Sequence, residues 1–212
     1  MTKKEKSIFY LFIAIYAITL AYAVYINITL GYQVRLSMCV MAVISPILLP
    51  IFFKLMKWKI TFEIGMINII FCYFAALWGS CLGGYSTAYF DKVVHFVFGF
   101  IGISLAYLIY CLIKHTSKII DKSEFTLFLV FINATNLAIA ALWEFYEYAL
   151  LVFFNNDAVN HYTTGVHDSM LDMIVCALGG LIVTYFLYRA YKNKKSSVYE
   201  RLVEKFYTAN FQ

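Results

Sequence analysis

Six stretches of this chain are each long and apolar enough to cross a bilayer: residues 8–30, 36–56, 60–84, 93–113, 125–154 and 168–191. No other feature limits the fold as strongly. A spanning helix needs ~20 mainly apolar residues, because hydrocarbon offers no water to bond the peptide groups and every N–H and C=O must be bonded within the segment. The sequence therefore predicts an all-α, polytopic membrane helical bundle of about six transmembrane helices. Residues 1–192 form the transmembrane domain, and residues 193–212 form a juxtamembrane tail. The bulk composition agrees, at 63% hydrophobic and 14% charged, whereas soluble domains carry ~25% charged residues.

Basic residues give an orientation. Lys3, Lys4 and Lys6 precede the first span, and Lys54, Lys57 and Lys59 separate the second from the third. Lys114, Lys118 and Lys122 lie between the fourth and fifth spans, and Arg189, Lys192, Lys194 and Lys195 end the sixth. The opposite connections hold only Arg35 and Lys92. Lysine and arginine stay on the cytoplasmic side, so both termini are expected there, in a plasma membrane. The net charge of +5 follows from this asymmetry and is no nucleic-acid signal. The alternative for the first span is a signal peptide cut near Ala21-Tyr22-Ala23, which would leave five spans.

The tail repeats Val198, Leu202, Val203 and Phe206 at helical spacing among charges, a pattern for a helix lying on an anionic leaflet. A frayed tail is the other reading. Cys39, Cys72, Cys81, Cys111 and Cys176 all fall inside spans and read as small apolar packing residues. A Cys39 to Cys81 bridge is the alternative for that pair.

Ionisable residues inside the spans carry the functional signal, since each costs from ~2.5 kcal/mol upward in hydrocarbon unless it faces a partner. The fourth span opens Asp91-Lys92-Val93-Val94-His95, which sets Asp91 and His95 on one helical face that continues through Gly99 and Gly102. A helix cap at the interface is the competing reading of Asp91. The fifth span carries Glu144 and Glu147, with Ala140, Asn136 and Asn133 behind them. The sixth begins His167-Asp168 and places Asp172 one turn on, followed by Cys176, Gly179 and Gly180. Two acids on one face repel unless a cation, a proton or a base lies between them. In the orientation above all three clusters fall in the extracytoplasmic half. They predict one acidic site of Asp91, His95, Glu144, Glu147, Asp168 and Asp172, with His167 at its mouth.

Three motifs also carry a resemblance. The Asp-x-x-x-His-Phe-x-x-Gly at Asp91, the Trp-Glu-x-x-Glu at Trp143 and the Asp-x-x-x-Asp-Met at Asp168 resemble those of YjdF-like bacterial inner-membrane proteins. Those proteins have several spans and no established activity. The likeness covers about residues 60–190. VanZ-like membrane proteins are similar in placing short Asp/His and acidic motifs on membrane helices, which implies a cell-envelope role.

Three functions fit the residues. As a divalent-metal site (Zn, Mn, Mg or Fe), Asp91, His95, Glu147, Asp168 and Asp172 would be ligands, with Glu144 and His167 the catalytic candidates. The enzyme would then be a hydrolase or transferase acting on an envelope lipid or phosphate ester. As a proton or cation relay, the same groups would serve a small-solute transporter, with Pro46 and Pro50 freeing carbonyls as in broken transporter helices. With six spans and no internal repeat, such a carrier would work as a homo-oligomer. As a hydrogen-bonded polar core, they would only fix helix register in a scaffold. No nucleotide, dinucleotide or serine-hydrolase motif is present.

Overall fold

A computed structural model describes residues 1–117 and 121–211. Lys118, counted above among the basic residues, lies outside the described residues. Within them the regular elements are helical: α1 Lys3–Thr29, α2 Gln33–Leu55, α3 Phe62–Cys72, α4 Phe90–Lys114, α5 Lys122–Phe154, α6 Val166–Lys192 and α7 Val198–Phe211. A π-helical stretch, Tyr73–Cys81, prolongs α3. Taking that run as one helix, six of these are long and apolar enough to span a membrane, each close to its predicted place. The chain is an all-α, multi-pass membrane protein.

Contacts divide the chain into two units, Met1–Asp91 with Thr208–Gln212, and Lys92–Tyr207. The core of the first unit is built from Tyr16 and Ala23 of α1, Cys39 and Ala42 of α2, and Ile69, Cys72, Leu77 and Cys81 of the third span. The two prolines of α2 behave differently from the broken-helix expectation. A proline has no N–H for the carbonyl four residues earlier, so Pro46 frees the Ala42 carbonyl and Pro50 frees the Pro46 carbonyl. Tyr16 Oη donates to the Ala42 oxygen at 2.7 Å, and Asn68 Nδ2 donates to the Pro46 oxygen at 2.8 Å. Because both orphaned acceptors are bonded by neighbouring helices, α2 runs on through both prolines. The freed carbonyls hold helices together and leave no break in the span. Asn27, buried on α1, similarly donates to the Cys81 carbonyl at 2.9 Å. All five cysteines are free and buried, so the Cys39 to Cys81 bridge is not formed.

The second unit packs α4, α5 and α6 through the small-residue faces read from the sequence. A Cβ on Gly99 would strike the Cys176 carbonyl, and one on Gly179 would strike the Phe96 carbonyl. Only glycine allows backbones this close. Next to them Asn133 and Thr184 exchange hydrogen bonds between α5 and α6 at 3.0 and 3.2 Å. A residue in lipid has no water to bond, so such pairs fix register between helices.

The tail forms α7, capped by Ser197, whose Oγ accepts from Glu200 N at 2.9 Å. Its apolar residues Val203, Phe206 and Tyr207 are buried within the chain. Of the apolar residues expected to meet a leaflet, Val203 and Phe206 are thus covered by the chain, Leu202 is half-buried and Val198 is exposed, and the segment is helical and not frayed.

Candidate functional site

Within the second unit, α4 and α6 begin at the end where α5 stops, because successive helices run in opposite directions. Spacing puts Asp168 and Asp172 four apart on one face of α6, and Lys92 and His95 three apart on one face of α4. These faces meet. Lys92 Nζ donates to Asp168 Oδ1 at 2.6 Å and to Asp172 Oδ2 at 2.8 Å. The second oxygen of Asp168 accepts from Asn160 Nδ2 at 2.7 Å. His95 Nε2 lies 3.8 Å from Asp172 Oδ1. The side chain of Asp172 is only 1% exposed, and that of Lys92 is 19% exposed. Charge-assisted bonds of this length are about twice as strong as neutral ones, and a low-dielectric setting strengthens them further.

The cation that two facing acids require is thus the ammonium of Lys92. Sequence reasoning missed it by counting Lys92 with the interfacial basic residues. The available signal was its position three residues before His95, on the same helical face. Asn160 was also missed, and no pattern marks it. It belongs to the connection between α5 and α6, where its carbonyl accepts from the backbone N–H groups of Thr163, Thr164 and Gly165. That turn delivers its amide to Asp168.

Helical rise fixes the depth of Glu144. Asn136 of α5 abuts both Gly102 of α4 and Gly180 of α6, so the three share a level. From there Glu144 is eight residues along α5, Asp172 eight residues back along α6 and His95 seven back along α4. At 1.5 Å per residue these distances are about 12, 12 and 10 Å toward the same end. Glu144, His95 and Asp172 are all buried, and Ile132, Asn136, Ala140 and Glu144 form the buried stripe of α5.

The remaining predicted residues are placed less centrally. Glu147 is half-buried, and its Oε1 accepts from Trp143 Nε1 on its own helix at 2.8 Å. His167 is exposed in the first turn of α6. Asp91 is half-buried inside the first turn of α4, one turn from His95 on the same face, and is the last residue of the first unit. An acid in that first turn suits the positive end of the helix dipole. The structure therefore brings together His95, Asp168 and Asp172 around Lys92 and sets Glu144 at their depth.

Fold and site define a multi-pass membrane protein with a cluster of acids, a lysine and a histidine gathered at one end of three packed helices. The chain belongs to the family described as Predicted membrane protein (DUF2238), whose model matches residues 8–193. It is a membrane-protein family of unknown function. Comparison with curated proteins gives no match, and neither does comparison with solved structures.

Proposed function

We propose that the protein is a proton- or cation-coupled carrier of a small solute, and that Lys92, Asp168, Asp172 and His95 form its coupling centre. The observation that carries this reading is Lys92 bonded to both aspartates at once. A buried acid pair cannot be left without positive charge, because an unpaired buried ion costs several kcal/mol. Protons or a small cation arriving at the aspartates would release the ammonium, and its return would expel them. Such an exchange couples the site to a gradient with no step in which the acids stand unneutralised. His95, whose Nε2 lies 3.8 Å from Asp172 Oδ1, is the group suited to pass protons, and Glu144 at the same depth extends the acidic set.

In this reading the charge bias of the connections puts both termini in the cytoplasm and the centre in the extracytoplasmic half. The carrier would act as a homo-oligomer in a bacterial plasma membrane, in keeping with the likeness to YjdF-like and VanZ-like proteins. One observation favours a second reading. His95 Nε2 and Asp172 Oδ1 are 3.8 Å apart, and imidazole with carboxylate suits Zn, Mn, Mg or Fe. With Asp91 a turn away, the protein would then be a hydrolase or transferase on an envelope lipid or phosphate ester, with Glu144 and His167 as its catalytic candidates. Lys92 weighs against it, because it already supplies the positive charge that a metal would bring.

The test uses the purified chain in proteoliposomes with an imposed pH gradient, offering Na⁺, K⁺ and Mn²⁺ in turn, beside metal analysis of the same preparation. Gradient-driven exchange that vanishes in Lys92→Gln and Asp172→Asn supports the carrier. Bound metal lost in Asp172→Asn, with no exchange, transfers the site to the metal reading. Neither signal in folded protein removes both and leaves a scaffold.

A further inference from the structure

At the opposite end of α6 the second unit holds a basic cleft that the proposed coupling centre does not use. Arg189, Lys195 and Arg201 line a space of about 630 Å³ together with Ser196, Ser197 and Tyr199. No aspartate or glutamate is among the residues that line it. The backbone of this elbow is fixed. Asn193 N and Lys195 N close the end of α6 on the carbonyls of Arg189 and Ala190 at 3.1 and 2.9 Å. Arg201 Nη1 donates to the Ser196 carbonyl at 2.9 Å, which holds the guanidinium across the elbow. One carboxylate is close, that of Glu200, whose Oε2 accepts from Ser197 N at 3.2 Å, so three cationic side chains against that one acid leave a net positive local potential.

We propose that this cleft binds the headgroup of an anionic phospholipid. Its position argues for lipid over a soluble phosphate. The 27 residues of α6 span about 40 Å, against ~30 Å for the hydrocarbon core, so the last turns stand at headgroup level. Phe186, one turn before Arg189, lines the cleft and is 49% exposed, and Val198, which also lines it, is 67% exposed. Those apolar walls suit the glycerol and upper acyl chain, while guanidinium and ammonium groups meet the phosphate. Burial pushes the Tyr199 phenol above its ordinary range, so it stays protonated as a hydrogen-bond donor. Basic pockets beside spans are the sites where membrane proteins take such headgroups.

The experiment measures thermal unfolding of the detergent-purified full chain titrated with phosphatidylglycerol, phosphatidylcholine or glycerol phosphate. Phosphatidylglycerol should stabilise the wild type at low concentration, and the other two should not. Arg189→Gln with Lys195→Gln and Arg201→Gln should weaken the apparent affinity on the order of a hundredfold, given roughly fivefold per cation at an anionic surface. Lys192→Gln, which removes a nearby charge outside the cleft, should leave it within about twofold. The single variants Arg189→Gln and Lys195→Gln serve if the triple variant does not fold. Equal stabilisation of wild type and cleft variants, or none by phosphatidylglycerol, overturns the proposal. An equal response to glycerol phosphate overturns the lipid assignment in favour of a free anion.

Discussion

Replacing Lys92 by methionine keeps an unbranched side chain one atom shorter and removes the charge that two carboxylates share. Asp172 is 1% exposed and Asp168 is 10% exposed at the side chain, so neither can recover its solvation in place. Breaking a buried pair by removing one partner costs about 3–5 kcal/mol. Lys92 is itself 19% exposed and regains some hydration when free, so the lower end, about 3 kcal/mol, is the expected loss. For a chain of this size that is a fall of roughly 6–12 °C in Tm. Thermal unfolding in detergent, followed by the loss of monodisperse protein, reads it directly. The distinctive result lies in the double variant. Lys92→Met combined with Asp172→Asn should be less destabilised than Lys92→Met alone, because Asp168 keeps its bond from Asn160 while the other unpaired charge is gone. A single loss below about 1 kcal/mol, or strictly additive losses in the cycle, would show that the ammonium is solvated and does not hold the aspartates.

The proline carbonyls offer a test in the first unit: Tyr16→Phe and Asn68→Leu should each cost about 1 kcal/mol. The two losses should add in denaturant titration, since they orphan different carbonyls. Gly99→Ala should be worse than Gly102→Ala, because the new Cβ meets the Cys176 backbone in one case and the end of the Asn136 side chain in the other. About 1–3 kcal/mol is expected for the former, read as a drop in Tm with little change for the latter. Ser197→Ala removes the cap bond to Glu200 and should cost about 1 kcal/mol, seen as faster amide exchange confined to α7.

Much of this protein was readable along the chain. Runs of twenty or more apolar residues compel helices wherever water is absent, so the six spans did not depend on knowing their neighbours. The faces were readable too: Gly99, Gly102, Gly179 and Gly180 follow helical spacing, as do the acid pair on α6 and the placement of Asn136 and Glu144 on α5. Pairing was not readable. Period tells which side of a helix a residue occupies and leaves open what it meets there, and long flexible side chains such as Lys92 reach partners that no spacing rule names. Glu147 and Glu144 look equivalent in sequence, yet one bonds Trp143 while the other lies in the buried stripe.

What the sequence determined by itself was therefore everything governed by the solvent: how many helices form, how long they are and which face of each is small or polar. Only the tertiary structure decided that Lys92 neutralises Asp168 and Asp172, that Tyr16 and Asn68 satisfy the carbonyls freed by two prolines, and that Val203 and Phe206 of α7 are buried in the chain. The physical reason is one of range. Hydrophobic partition and backbone bonding act on each segment separately, whereas an ion pair or a hydrogen bond across 76 or 22 positions, as for Lys92 with Asp168 and Asn68 Nδ2 with the Pro46 carbonyl, exists only once the helices have been brought side by side.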